Sequence, residues 1–149
     1  MKKLIMIGAV LSALSANVAA NSLFEAPEDA IEYRKPAFQL IRYQIGDMGD
    51  MLKGKVPFDA QRFAQRANNA ASLSSMPWEA FTTGSDKGDT SALPAVWSER
   101  AKFDEKAQSF AQYAQALAVA AQSGDKKVIA PAFRNWAKGC KDCHKSFKD

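Results

Sequence analysis

The residues with the clearest chemical potential form the segment Cys140-Lys-Asp-Cys-His144, close to the C-terminal end of the sequence. This segment holds both cysteines and the one histidine of the 149-residue chain. Because residues three and four positions apart share a face of a helix, the two thiols and the imidazole are expected to project from one side. Two thiols at this spacing can add to the two vinyl groups of one porphyrin, and the imidazole that follows is then placed beneath the iron. The segment therefore predicts one covalently bound haem c on Cys140 and Cys143, with His144 as the axial iron ligand.

Three other uses of a cysteine pair compete with haem attachment. The first is a disulfide, which is the ordinary use of two cysteines in the oxidising compartment that an exported protein meets; the N-terminal segment, described below, predicts export. A disulfide would not explain why a histidine follows the second cysteine directly. A thioredoxin-like redox pair has the same spacing but belongs to a βαβ setting, and the sequence has almost no strand signals. A structural zinc site needs four ligands, which the cysteines and histidine of this chain cannot supply.

The sixth coordination position of the iron decides between gas binding and electron transfer. No second histidine exists, and the methionines beyond the N-terminal segment are Met48, Met51 and Met76. Antiparallel packing of the first and last helices is expected to bring Arg34 and Phe38 to the level of His144, whereas Met48 lies at a different depth. Neither Arg34 nor Phe38 is a usual iron ligand, so we expect a five-coordinate iron with an apolar distal side. The alternative is a low-spin electron-transfer cytochrome with a methionine, such as Met48, as sixth ligand.

Four stretches with strong helical periodicity must position these residues, and they cover about 27–52, 57–75, 98–123 and 126–148. Pro36 lies inside the first stretch, so a kink or a later start of that helix is open. Residues 77–95 are irregular, but their tryptophan, phenylalanine and leucine side chains argue against disorder. The sequence predicts an all-α protein, an antiparallel up-down-up-down four-helix bundle. Its inner faces are rich in alanine, which leaves space that a haem would fill.

The N-terminal segment resembles a secretory signal peptide. Lys2 and Lys3 precede a short apolar run, and small residues end at Ala20, where cleavage is expected. A membrane anchor would need about 20 apolar residues, and this run is shorter and contains serines. We therefore predict a cleaved segment 1–20, a haem domain 21–149, and a periplasmic protein with no membrane insertion. Without Lys2 and Lys3 the domain carries 18 basic and 16 acidic residues, a balance that does not indicate nucleic-acid binding.

Charged residues near the predicted haem allow two interpretations each. Arg34 shares a stripe with apolar residues, so it is either a snorkelling surface arginine or a partner for a haem propionate. Four lysines flank the attachment segment: Lys138, Lys141, Lys145 and Lys148. They form either a solvated face that suits the C-terminal end of a helix, or a surface that steers an acidic redox partner protein to the haem edge.

The whole domain resembles the cytochrome c′ family, the class II c-type cytochromes. Three segments carry the resemblance: Pro27-Glu-Asp-Ala-Ile-Glu-Tyr-Arg34, Leu73-Ser-Ser-Met-Pro-Trp-Glu-Ala-Phe81 and Cys140-Lys-Asp-Cys-His144. The resemblance implies a homodimer of four-helix bundles, of which cytochrome c′ is a standard example. It also implies a high-spin, five-coordinate haem that binds NO and CO; electron transfer is a further role that gas binding does not exclude. No general acid or base is expected on the distal wall, so we expect no enzymatic activity on an organic substrate.

The resemblance also assigns expected roles to residues around the haem. Phe38 takes the distal position, which is most often aliphatic in the family, and the aromatic lining of the distal pocket is matched by Trp78, Phe81 and Phe103. Arg34 and Lys35 match positions near the propionates, which the loop around Asp89 is also expected to approach. Lys148 stands where family members often have an arginine, so chemistry that depends on a planar guanidinium is not expected on the proximal side.

Overall fold

The computed structural model describes residues 23–149, and the predicted signal peptide 1–20 lies outside these residues. Four long helices form the bundle: α1 Pro27–Leu52, α2 Ala60–Leu73, α4 Arg100–Ala121 and α5 Lys126–Phe147. A 3-10 helix, Pro77–Ala80, and the one-turn helix α3, Ala95–Ser98, lie between α2 and α4. The predicted all-α four-helix bundle is confirmed, and within residues 23–149 the one β contact is an isolated bridge between Ala92 and Lys148. No helix in this part of the chain combines the length and the apolarity that crossing a membrane requires.

The helix ends follow from local chemistry. Pro27 occupies the first turn of α1, and the Asp29 carboxylate accepts a hydrogen bond from the Ala26 N–H at 2.9 Å. Asp59 caps α2 and Asp125 caps α5, each accepting from a backbone N–H of the first turn at 3.0 and 2.8 Å. The later start of α1 considered from the sequence is wrong, since α1 begins at Pro27 and continues through Pro36 to Leu52.

Two apolar clusters hold the bundle together. The larger one fills the centre, where Met48, Phe63, Leu117 and Trp136 are fully buried. The smaller one lies at the end that contains the C-terminus of α5, and its buried members are Phe81, Val96, Phe103 and Phe147. Helices α1 and α2, α2 and α4, and α4 and α5 pack in pairs, whereas α1 and α5 touch only sparsely. The space between α1 and α5 is therefore available for a site.

The irregular segment 77–95 is ordered, as its aromatic residues predict. The indole N–H of Trp78 donates to the Ser74 carbonyl at 2.7 Å, and that of Trp97 donates to the Thr82 carbonyl at 2.9 Å. The backbone N–H of Leu93 donates to the Phe147 carbonyl at 3.0 Å. The bond from Leu93 fastens the segment to the end of α5 that carries the cysteine and histidine motif.

One surface ion cluster gives the bundle a pH-dependent stability. Asp47 of α1 accepts hydrogen bonds from Arg62 and Arg66 of α2, at 2.9 and 2.8 Å, and its side chain is 17% exposed. Hydrogen bonding from Arg62, followed by that from Arg66 and the charges of both arginines, lowers the pKa of Asp47 despite its partial burial. The carboxylate therefore stabilises the fold above its unfolded pKa of about 3.9, and this stabilisation is lost as the pH falls through the lower folded pKa.

Replacing Asp47 with asparagine should lower the free energy of unfolding by about 1 kcal/mol at neutral pH. The difference from the parent protein should shrink as the pH falls below the unfolded pKa, in urea titrations run at several pH values. The matched control is Asp104→Asn. It breaks the ion pair with Arg100, in which the side chain of Asp104 is 53% exposed. A loss from Asp47→Asn that is independent of pH would contradict the electrostatic explanation.

Candidate haem site

A cavity of about 630 Å³ opens between α1, α4, α5 and the irregular segment. This volume lies in the range of about 300–1,000 Å³ typical of small-molecule and cofactor sites. Its principal lining residues are Arg34, Lys35, Phe38, Ile41, Arg42, Ile45, Trp78, Phe81, Thr90, Phe103, Phe110, Cys140, Cys143, His144, Phe147 and Lys148. Nine of the ten site residues predicted from the sequence thus surround one cavity, and Asp89 is the exception.

One wall of the cavity is the last two turns of α5. Cys140, Cys143 and His144 all line it, as expected for residues three and four apart on one helical face. Gly139 lets this part of α5 approach α4 closely, since a Cβ at this position would lie 3.3 Å from the Phe110 ring and 3.6 Å from the Tyr113 ring. The motif is therefore held at a fixed depth in the bundle.

The protonation states on this wall suit covalent attachment and metal ligation. Burial raises the pKa of Cys140 to about 11 and also raises the pKa of Cys143. Both sulfurs are therefore protonated thiols at neutral pH, whereas a thioredoxin-like redox cysteine needs a lowered pKa. Partial desolvation at the cavity, and then the charge of Lys148, lowers the pKa of His144, whose side chain remains exposed. The imidazole is thus kept neutral, which is the form that binds a metal.

Aromatic rings form the opposite wall. The Phe38 ring lies 5.5 Å from the Trp78 ring and 6.3 Å from the Phe81 ring, both edge-on. Phe103 continues the cluster, with its ring 5.8 Å from Trp78 and 4.8 Å from Phe81. The geometry is that of mutually packed aromatic pairs, which resist displacement of any one ring. Phe38 is partly buried and lines the cavity, as its predicted distal position requires.

Basic residues gather at the same cavity, which has no aspartate or glutamate among its lining residues. Lys35 and Arg42 of α1 and Lys148 beyond α5 are exposed there. Asp89 does not line the cavity; it forms an exposed ion pair with Lys35 from the adjacent loop. A ligand with carboxylates would therefore find cationic partners at this cavity.

Arg34 is buried, with 3% of its surface exposed. Its guanidinium donates to the Ala80 carbonyl at 2.8 Å, to the Ser85 hydroxyl and carbonyl at 2.7 Å each, and to the Thr90 hydroxyl at 2.8 Å. It also lies over the Phe81 ring, 4.5 Å from the centroid. The snorkelling interpretation is therefore wrong. Both terminal nitrogens bind the irregular segment, so this arginine fastens loop 80–90 to α1 beside the cavity.

The methionines of the described residues do not line the cavity. Met48 and Met51 are fully buried in the larger apolar cluster, and Met76 is exposed at the surface. Arg34 and Phe38 of α1, by contrast, line the cavity together with the cysteine and histidine motif.

Sequence reasoning did not identify every residue at the site. Arg42 lies one turn after Phe38, so the helical spacing on α1 was a signal that could have found it. Ser85 and Thr90, the hydrogen-bond partners of Arg34, lie in a segment without periodicity, and no sequence signal marks them. Gly84 and Gly88 adopt positive φ angles of 85° and 93°, which give this loop its tight path around the guanidinium.

The residues present fit a c-type haem. Two protonated thiols face the cavity for bonds to the porphyrin vinyl groups, a neutral imidazole follows for the iron, and the aromatic rings provide an apolar pocket. The basic residues at the same cavity complement two propionates. A disulfide, a thioredoxin-like redox pair or a zinc site would not require this combination of donors and cavity volume.

Comparisons with known proteins agree with this assignment. A family model described as Cytochrome C' matches residues 29–148. Cytochrome c' from Rubrivivax gelatinosus is 42% identical over 127 residues, which cover 85% of this chain and 98% of that protein. The structure of cytochrome c prime from Shewanella frigidimarina has a TM-score of 0.83 and 56% identity, over 85% of this chain and 98% of the other. A nitric oxide complex of a mutant of cytochrome c prime from Alcaligenes xylosoxidans has a TM-score of 0.79 and 35% identity, over 85% and 98% of the two chains.

Proposed function

This chain belongs to the cytochrome c′ family and carries a c-type haem, and we propose that its haem iron is five-coordinate and high-spin and binds small gases such as NO and CO. The observation that carries the proposal is the asymmetry of the cavity. Its α5 wall presents two thiols and an imidazole, whereas its α1 wall presents an aromatic ring and neither a histidine nor a methionine. The nitric oxide complex of a mutant of the related Alcaligenes protein supports the same ligand class.

On this proposal the residues of α5 fix the cofactor. Cys140 and Cys143 would hold it through thioether bonds, and His144 would be the protein ligand of its iron. The bound haem supplies an iron with one open coordination position. Lys35 and Lys148 attract its propionates at the cavity, and Arg34 keeps the neighbouring loop in position through the hydrogen bonds described above.

Phe38 controls the distal side on the same proposal. Its ring packs against Trp78 and Phe81, so a diatomic ligand must displace a packed ring before it reaches the open position. The wall holds no carboxylate and favours ligand binding over acid–base catalysis on an organic substrate. The low-spin alternative needs a methionine at the cavity, and the buried positions of Met48 and Met51 in the central cluster do not favour it.

The absorption spectrum of the purified holoprotein tests this proposal. We expect a high-spin spectrum in the ferric and ferrous forms, and a change in the ferrous spectrum on adding CO or NO. Haem should stay on the chain after acid–acetone extraction, because the thioether bonds are covalent. A low-spin spectrum that responds to neither gas would identify a sixth protein ligand and make this protein an electron carrier.

We further propose export to the periplasm with cleavage after Ala20. Support comes from the positive and apolar character of residues 2–14 and from the small residues before the cleavage site. Protein purified from the periplasmic fraction should begin at Asn21 when its N-terminus is sequenced. A chain that retains Met1 in the cytoplasm would contradict this proposal.

A homodimer through α1 is the proposed assembly. Leu40 and Tyr43 lie about one turn apart on the outer side of α1 and are 49% and 65% exposed. Sedimentation of the holoprotein should give a dimer, and the double change Leu40→Glu with Tyr43→Glu should shift it to a monomer. An unchanged dimer would place the contact elsewhere.

A further inference from the structure

A line of basic side chains runs along the outer face of α5. Its members, which we call the basic stripe, are Lys127, Arg134, Lys138, Lys141 and Lys145. Successive members are three, four or seven residues apart, so they lie on one face of the helix. All five are exposed. At 1.5 Å per residue the stripe is about 27 Å long.

The excess of positive charge is local. Residues 126–149 contain seven lysines and arginines against two aspartates, although the whole domain is nearly balanced. Asp142 pairs with Lys138. The other four members of the stripe form no ion pair within residues 23–149. Most of the charge on this face is therefore free to attract an external anion.

Helix stability does not account for the stripe. Cations stabilise the C-terminal end of a helix, and Lys145 in the last turn fits that role. Lys127, however, lies in the first turn of α5, where the helix dipole disfavours a positive charge. Arg134 lies in the middle of the helix, too far from either end to gain from the dipole. The stripe therefore suggests a use outside the fold.

The character of the stripe indicates a transient partner. None of the large apolar side chains exposed in residues 23–149 belongs to the stripe; the partly exposed Tyr113 ring of α4 lies beside Lys138 at its edge, and Val128 is turned about 100° away by the helix. Without an apolar centre the face cannot form the core of an obligate interface or insert between lipid chains. A face dominated by cations instead favours fast, salt-sensitive association with an acidic surface.

The stripe lies directly beside the candidate haem site. Lys141 is inside the attachment segment, Lys145 follows His144, and the next cation along the chain, Lys148, lines the cavity. A partner that covers the C-terminal half of the stripe is thus next to the helix that carries the haem. This position distinguishes the stripe from a surface that serves only solubility.

We propose that the basic stripe is the docking surface for an acidic electron-transfer protein that reduces the haem. This inference rests on the proposed function, since it needs a haem on Cys140 and Cys143. In the step it serves, one electron passes from the reduced partner to ferric iron, which gives ferrous iron and the oxidised partner. No bond is broken and no proton is required. A partner with a flavin or an iron–sulfur centre and a surface rich in aspartate and glutamate has the matching chemistry.

The test is the rate at which a reduced flavodoxin, used as the acidic redox probe, reduces the ferric holoprotein in a stopped-flow instrument. The stripe variant is Arg134→Glu with Lys145→Glu. The matched control is Lys53→Glu with Lys55→Glu, which makes the same change in net charge just after the C-terminal end of α1. At an ionic strength of about 0.01 M, where the Debye length is about 30 Å, the stripe variant should react about tenfold more slowly than the parent. The control should change by about twofold or less, and the difference should vanish near 1 M salt, where the Debye length is about 3 Å.

Equal slowing in both variants, or no slowing in the stripe variant, would overturn the proposal. Pelleting with phosphatidylglycerol vesicles that depends on the stripe, together with an unchanged rate with flavodoxin, would assign the stripe to a membrane surface instead. Self-association at low salt that depends on the stripe, with an unchanged rate, would assign it to a second copy of this chain.

The ferrous CO spectrum of each variant separates this proposal from the proposed function. An unchanged spectrum shows that the haem site is intact, so a change in rate then reports docking alone. If the stripe variant loses this spectrum, the pair Lys127→Glu with Arg134→Glu, which lies farther from the haem motif, repeats the test with the same expected slowing. Absence of a CO response in the parent protein itself would contradict the proposed gas binding and leave the reduction rates to decide on docking.

Discussion

Replacing Arg34 with alanine is expected to lower the free energy of unfolding of the holoprotein by about 3 kcal/mol. The guanidinium is 3% exposed and donates four hydrogen bonds to Ala80, Ser85 and Thr90. Truncation leaves the Ser85 carbonyl without its donor, at a cost of about 1–3 kcal/mol for an unsatisfied buried group, and it removes one partner each from the Ala80 carbonyl and the Ser85 and Thr90 hydroxyls, which keep other hydrogen bonds. These losses overlap, and relief from burying a charge offsets part of them. Burial disfavours the charged form of the guanidinium and therefore lowers the pKa of Arg34, which reflects the cost of burying this charge.

Two further variants make this prediction specific. Arg34→Lys keeps the charge but offers three donors on a single nitrogen, so it should recover only part of the loss. Arg42→Ala removes an exposed arginine from the same helix and should change the free energy of unfolding by less than about 0.5 kcal/mol. Urea unfolding followed by far-UV circular dichroism measures all three. Equal and small losses at Arg34 and Arg42 would show that the loop is held without the guanidinium.

Much of the fold follows from the periodicity of the sequence. The predicted first helix has the observed bounds, Pro27 and Leu52, and the other three long helices differ from prediction by three residues or fewer at each end. Apolar side chains recur at helical spacing within each helix and are buried where this pattern places them. Examples are Phe63 in α2, Leu117 in α4 and Ile129 in α5. Periodicity does not reveal Pro77–Ala80 or α3, because a single turn is too short to show a repeat.

The cysteine and histidine wall of the site was also open to prediction, because its three residues are close in sequence and helix geometry fixes their common face. The role of Arg34 was not. Its partners Ser85 and Thr90 are more than fifty positions away and lie in a loop whose path depends on tertiary contacts. The sequence offered a surface position or a propionate partner for this side chain, and the loop contacts were visible only in three dimensions.

Phe38 is the residue where the family resemblance and the packing lead to the same functional expectation. Its ring forms edge-on pairs with Trp78 and Phe81, at 5.5 and 6.3 Å between ring centroids. Aromatic pairs of this kind are worth about 0.5–1.5 kcal/mol each. A ligand that displaces the ring gives up both pairs, so the wall should reduce the affinity for a diatomic ligand by an amount of similar size.

Phe38→Ala should therefore bind CO about tenfold to a hundredfold more tightly than the parent in the ferrous form, because about 1–3 kcal/mol of ring displacement is removed. Titration with CO followed by absorption spectroscopy gives the affinity. Phe38→Leu keeps an apolar wall without the aromatic pairs, so it should fall between the two. Tyr43→Ala removes an exposed ring from the same helix, away from the cavity, and should leave the affinity unchanged. If Phe38→Ala binds CO as the parent does, the ring does not obstruct the iron, and the distal limit on ligand binding must come from the rigidity of the Trp78, Phe81 and Phe103 cluster behind it.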